Sequence, residues 1–250
     1  MYTIVFLCIA GFLAAFVDSI AGGGGLISVP AFMLSGLPPT FVLGTNKFCS
    51  SFGSGASSLK FIKSGNVNFK LLKLLIPFTF IGAALGVKMV LTINEDILNV
   101  LVIIMVIFIG VYSLFSKTLG LENKFKGTNK KNIFLGILLS FSLGFYDGFF
   151  GPGTGSFLIF GLIKIFGFDF VNSVGNAKLM NFASNIVSLI LFALSGRIYF
   201  TYALPVAIFM IIGARIGTKI ALNKGARIIK PIFIFMSLAV AVKIIFNMIK

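Results

Sequence analysis

The stretch Asp18-Ser19-Ile20-Ala21-Gly22-Gly23-Gly24-Gly25 interrupts an apolar segment that resumes at Leu26. It returns 129 positions later, altered, as Asp147-Gly148-Phe149-Phe150-Gly151-Pro152-Gly153-Thr154-Gly155. Glycine inside a helix costs about 1 kcal/mol against alanine, and proline about 3. Each stretch therefore ends one helix, and another restarts at Leu26 or Ser156. A restarting helix presents unpaired N–H groups and the positive end of its dipole, which suits an anion. Close packing between helices also favours small residues, but it asks for glycines along one face rather than four in a row. No Gly-Lys-Ser/Thr follows the glycines, so a nucleotide-binding P-loop is excluded.

Other residues repeat in the same order around these breaks. Gly44 and Lys47 match Gly175 and Lys178 at an offset of 131, as do Ser64-Gly65 and Ser195-Gly196. Ile81-Gly82-Ala83, Gly86 and Lys88 match Ile212-Gly213-Ala214, Gly217 and Lys219. Apolar matches are cheap in a chain this hydrophobic; collinear Asp, Lys and Gly matches are not. The chain is read as a tandem duplication, with a first membrane repeat at 1–116, a Lys- and Asn-rich linker at 117–132 and a second repeat at 133–250.

Composition sets the solvent. Of 250 residues, 58% are hydrophobic and 11% charged, where a soluble domain is nearer 25% charged. The excess apolar surface must face lipid. Apolar periodicity predicts helices near 3–20, 25–36, 45–63, 70–92 and 96–116, then near 133–148, 154–167, 174–195, 200–222 and 227–249. The second helix of each set is too short for a comfortable span, being either tilted or re-entrant. The expected fold is an all-α polytopic membrane protein made of two repeats of about five helical segments, each with a Gly-rich break.

Charge orients the repeats. Lys60, Lys63, Lys70 and Lys73 surround the third inter-helix loop of the first copy, where the second has only Arg197. The next loop reverses the bias: Lys88, Glu95 and Asp96 against Arg215, Lys219, Lys224, Arg227 and Lys230. The positive-inside rule is satisfied if the linker, with Lys117, Lys124, Lys126, Lys130 and Lys131, is cytoplasmic and both termini lie outside. The copies are then inverted, an architecture frequent in secondary transporters. The net charge of +15 is thereby accounted for without nucleic acid, for which no motif is present.

The absence of histidine and of clustered carboxylates leaves hydrolytic and metal chemistry without its usual groups, so neither an enzyme nor a cofactor or metal is expected. Cys8 and Cys49 have no metal or redox spacing. Binding candidates come instead from the breaks and the third helices. The breaks offer Gly22, Gly23, Gly24 and Gly25 with Gly151, Gly153 and Thr154. The expected starts of the third helices offer Asn46 and Lys47 with Asn176 and Lys178. Lysine is expensive in a membrane and points to function, although snorkelling to an interface also explains it. Ser50, Ser54, Ser57 and Ser58, with Asn181, Ser184, Asn185 and Ser188, form polar faces that either line a water path or bind helix to helix. Asp18 and Asp147 could carry a proton, cap the restarting backbone or pair with a lysine.

The duplicated unit, the Asp-x-x-x-Gly break and the Gly-x-x-Lys of each third helix resemble the sulfite exporter TauE/SafE family of membrane permeases. The resemblance covers nearly the whole chain. It implies a bacterial plasma-membrane secondary transporter of sulfite, sulfonates or related sulfur-containing organic anions, coupled to the proton gradient. An anion channel, or a carrier of another small solute, is the alternative. The second copy departs by Gly-Pro-Gly-Thr-Gly for the glycine run and by an Asn one residue earlier relative to its lysine, so the site need not be symmetric.

Overall fold

The computed structural model describes residues 2–98, 100–101, 104, 122–125 and 127–224. Among these the chain is helical, with α1 Tyr2–Ala21, α2 Gly25–Met33, α3 Pro39–Lys63 and α4 Phe69–Thr92, then α5 Lys130–Phe149, α6 Thr154–Phe166, α7 Phe170–Leu194 and α8 Phe200–Lys224. Residues 95–98 begin a further helix. The rest of the expected 96–116 segment, all of 227–249, Lys117, Lys126, Arg227 and Lys230 lie largely or wholly outside the described residues. Five described helices are long and apolar enough to cross a membrane: α1, α4, α5, α7 and α8.

Local sequence explains where the helices start. Asn68, Asn129 and Asp169 accept from the backbone N–H groups of Leu71, Asn132 and Asn172, capping α4, α5 and α7. Pro39 opens α3 at a position where proline has no helical N–H to forfeit. The third helices thus begin at 39 and 170 rather than 45 and 174. Gly44, Lys47, Gly175 and Lys178 lie inside them, not at their starts. Pro39 and Asp169 fall in the gaps between the expected helices, where the helix-start signals of proline and a capping aspartate lie ahead of the apolar periodicity.

The exposed apolar residues form stripes at helical spacing, such as Val5, Ile9 and Leu13 on α1, Ile81, Leu85 and Met89 on α4, and Ile208, Ile212 and Ile216 on α8. Such stripes belong against lipid tails. α3 is different. It buries Ser51, Ser54, Ser57 and Ser58 on its inner side, against α7 and α8. Lys88 and Lys219 are exposed near the ends of α4 and α8.

The two halves exchange partners. α1 packs on α8 and α4 on α5, more extensively than any helix packs within its own half. The contacts come in matched pairs. Gly213 and Gly217 sit against the carbonyls of Phe12 and Phe16, and Gly82 and Gly86 against those of Phe141 and Phe145. Gly44 abuts the carbonyl of Arg197, and Gly175 that of Asn66. A β-carbon at any of these six glycines would collide with backbone, which is why the repeated IGA-x-x-G pattern and both Gly-x-x-Lys motifs keep glycine.

The same contacts give direction. Residue numbers rise together along α1 and α8, and along α4 and α5, so each pair is parallel. α3 runs with α8, as the Cys49–Ala203 and Ser57–Thr218 bonds require. The turn after α7 meets the start of α3, and the turn after α3 meets the start of α7. Hence α3 and α7 are antiparallel.

Candidate functional site: two glycine breaks and two crossed ion pairs

Each break reverses the chain. Gly22 and Gly151 adopt φ of 81° and 96°, left-handed values that glycine takes without the penalty a β-carbon brings. The chain then doubles back, so that Gly24 lies against Ala14 and Asp18 of α1. α2 has nine residues and rises only about 13 Å; it does not span a bilayer. The two breaks meet. Ser156 donates its N–H to the Gly22 carbonyl at 3.1 Å and its hydroxyl to the Ala21 carbonyl at 2.8 Å. Gly25 packs on Pro152, too closely for a side chain.

The two lysines cross between the halves. Lys47 of α3 pairs with Asp147 of α5 at 2.7 Å, and Lys178 of α7 pairs with Asp18 of α1 at 2.5 Å. Lys47 also donates to Asn185 Oδ1 at 3.0 Å. Asp147 accepts from the Ser184 hydroxyl, and Asp18 accepts from the Gly24 N–H at 3.4 Å. Both aspartates therefore pair with lysine, and Asp18 also caps the restarting backbone. Neither lysine snorkels: their side chains are 3% and 0% exposed. Charges so deep persist only when paired and hydrogen-bonded.

A cavity of about 40 Å³ lies between the breaks and the third helices. Of the residues singled out from sequence, Gly22, Gly24, Gly25, Asn46, Lys47, Gly151 and Gly153 line it, together with Asp18 and Asp147. Gly23, Thr154, Asn176 and Lys178 are not in its wall. Thr154 turns its hydroxyl to the Gly151 carbonyl. Asn176 is spent on structure: its Oδ1 accepts from Asn68 N–H and its Nδ2 donates to the Asn172 carbonyl. Lys178 stands behind Asp18. Ser50, Ser54, Asn181 and Asn185 join the wall, so the polar faces of α3 and α7 do border a cavity, and Ser54 and Asn185 also touch each other at 3.3 Å. Sequence reasoning had not singled out Ser28, Gly53 or Met210, which also line it; a glycine or methionine among apolar neighbours carries no signal of its own. Asn46 is 5% exposed; among the described residues its Oδ1 has no hydrogen-bond partner and its Nδ2 makes no hydrogen bond either, so its donor end is free for an anionic guest.

The sequence pattern of the family described as Sulfite exporter TauE/SafE matches residues 7–244. The chain belongs to the TauE/SafE family. Among curated relatives of this TauE/SafE protein is a probable membrane transporter protein of Haemophilus influenzae. It is 37% identical over 243 residues, covering 97% of this chain and 94% of the relative. The probable membrane transporter protein YfcA of Escherichia coli K12 is 35% identical over 94% of this chain and 87% of its own length. The probable membrane transporter protein ORF9 of a Sinorhizobium species is 34% identical over 98% and 93%. No solved structure matches the chain. The protein is thus a multi-pass membrane transporter of the TauE/SafE family, with Asp18 and Asp147 of its two crossed ion pairs bordering the cavity where the two glycine breaks meet.

Proposed function

We propose that this protein is a secondary transporter that carries sulfite or a related small sulfur-containing or organic anion by alternating access, coupled to the proton gradient. The anion rests between the two breaks, held by the backbone N–H groups of Gly25 and Gly153, which line the cavity, and by the Asn46 amide; the N–H groups of Gly22, Gly24, Gly151 and Thr154 are already donated to Asp18, Tyr146 and Gly151. Lys47 and Lys178 supply positive charge. The single observation carrying this reading is the polar cavity at the junction of the breaks, set between the third helices and bordered by the unpartnered Asn46 amide. Its size favours a compact guest, since about 40 Å³ is room for roughly three waters.

The helix directions support an inverted relation of the repeats. α1, α3 and α8 run one way and α4, α5 and α7 the other, so α1, α3 and α4 oppose their repeat mates α5, α7 and α8. We place the linker 117–132 in the cytoplasm and both termini outside a bacterial plasma membrane, as the lysine and arginine distribution favours. The membrane units are then 1–116 and 133–250, with the first turn of α5 belonging to the linker. Rocking of one repeat against the other would open the cavity to each side in turn.

Uptake of labelled sulfite by proteoliposomes tests the reading. The wild type should take up sulfite in a saturable manner that responds to an imposed proton gradient, and Lys47→Ala and Lys178→Ala should abolish uptake. Both variants transporting normally would remove the lysines from the mechanism. Failure of the wild type to move any anion of a small oxyanion and sulfonate panel would overturn the assignment.

A further inference from the structure

The charges around the cavity balance. Two ammonium groups, Lys47 and Lys178, face two carboxylates, Asp147 and Asp18. An anion entering alone would bring an uncompensated negative charge into a site where every ammonium is already paired. The site can accept a monoanion without a net charge only if a cation enters as well.

The two ion pairs are unequal. Asp147 is 2% exposed and is closed in by Lys47 and the Ser184 hydroxyl. Both carboxylates border the cavity, but Asp18 is 22% exposed, and Gly53, at the α3 position equivalent to Ser184 of α7, lines the same cavity without a side chain. Where Asp147 has the Ser184 hydroxyl, Asp18 has only the Gly24 N–H and Lys178. The charged groups turned towards Asp18 are Lys178 from α7, with Lys47 of α3 and Asp147 of α5 across the cavity. α2 contributes only the Gly24 N–H. Lys164 of α6 and Arg215 and Lys219 of α8 are exposed on the outer surface.

We propose that Asp18 is the proton-binding residue of the transport cycle. One proton from solvent adds to the Asp18 carboxylate as one monoanion enters. Lys178 keeps its own proton behind the now neutral Asp18 carboxyl, and its charge is balanced across that carboxyl by the anion in the cavity, so the loaded site is again neutral. Asp147, Lys47 and Ser184 remain ionised or hydrogen-bonded as they are and tie the two halves together. Proton and anion leave together on the far side. This assignment rests on the anion-transport reading above.

The test is calorimetric titration of the full-length protein in nanodiscs with methanesulfonate, which stays a monoanion across the working pH range. Buffers of different ionisation enthalpy count the protons taken up. Wild type should absorb close to one proton per anion, and on the alkaline side its apparent Kd should weaken by about tenfold per pH unit. Asp18→Asn, a mimic of the protonated residue, should bind with no proton uptake and a flat pH profile. Gly53→Ser tests the same point without removing a charge. A β-carbon at Gly53 stands 3.4 Å from Met210 Cβ and 3.5 Å from Ala15 Cβ, so the variant fits with little adjustment. By equivalence with Ser184, which donates to Asp147, its hydroxyl should donate to the Asp18 carboxylate and move the loss of binding to lower pH. Wild-type binding without proton uptake would overturn the assignment while leaving the anion site standing. So would proton uptake retained in Asp18→Asn, or an unmoved pH profile in Gly53→Ser. No binding of methanesulfonate at any pH would overturn the anion reading itself, and this assignment with it.

Discussion

Replacing Lys47 by methionine keeps most of the side chain's length and removes the ammonium that stands 2.7 Å from Asp147. The partners are 3% and 2% exposed, so water does not take over the lost interaction. Asp147 is left with the Ser184 hydroxyl, and Asn185 Oδ1 loses the donor at 3.0 Å. Breaking a buried pair from one side costs about 3–5 kcal/mol, because the remaining charge stays buried without a partner. Removing both charges in Lys47→Met/Asp147→Asn should recover most of that loss, since uncharged replacements of a buried pair are often near neutral. The asparagine also keeps an acceptor for Ser184. Reversible unfolding in mixed micelles, followed by helical signal against denaturing-detergent fraction, reads both quantities. The reasoning is refuted if Lys47→Met unfolds within about 1 kcal/mol of wild type, or if the double variant loses the sum of the two single losses.

Gly86→Ala and Gly217→Ala should each destabilise by about 1–3 kcal/mol through overpacking, and by similar amounts, because their β-carbons would strike equivalent carbonyls at Phe145 and Phe16; the same unfolding titration checks this. Asn46→Ala and Asn176→Ala should separate cleanly. The Asn46 side chain makes no hydrogen bond among the described residues, so removing its Nδ2 donor should weaken anion binding with little change in stability. Asn176 braces the turn before α4, so its loss should lower stability by about 1–2 kcal/mol and leave anion affinity unchanged.

Much of this was legible in the chain itself. Four consecutive glycines and Gly-Pro-Gly-Thr-Gly cannot continue a helix, and both breaks fall where they were expected. The proposed duplication rests on Asp, Lys and Gly recurring in order against an apolar background. The exchange of partners was less accessible. Lys47 finds Asp147 a hundred residues away, and nothing in the local pattern around either residue says that the pair crosses between halves rather than closing within one. Asn46 and Asn176 looked alike in sequence and differ in use, because one faces the cavity and the other is drawn to the Asn68 N–H. Gly53 gave no signal at all. Its meaning lies in being set against Ser184, a comparison that needs the two third helices aligned and the position of both aspartates.

The most direct measurement of the site is anomalous scattering from crystals soaked in selenite, a heavier relative of sulfite. A selenium peak between the two glycine breaks, within hydrogen-bonding reach of Asn46 and close to Asp18, is the expected result. Selenium found only at surface lysines, with the cavity between the breaks empty at saturating selenite, would contradict it.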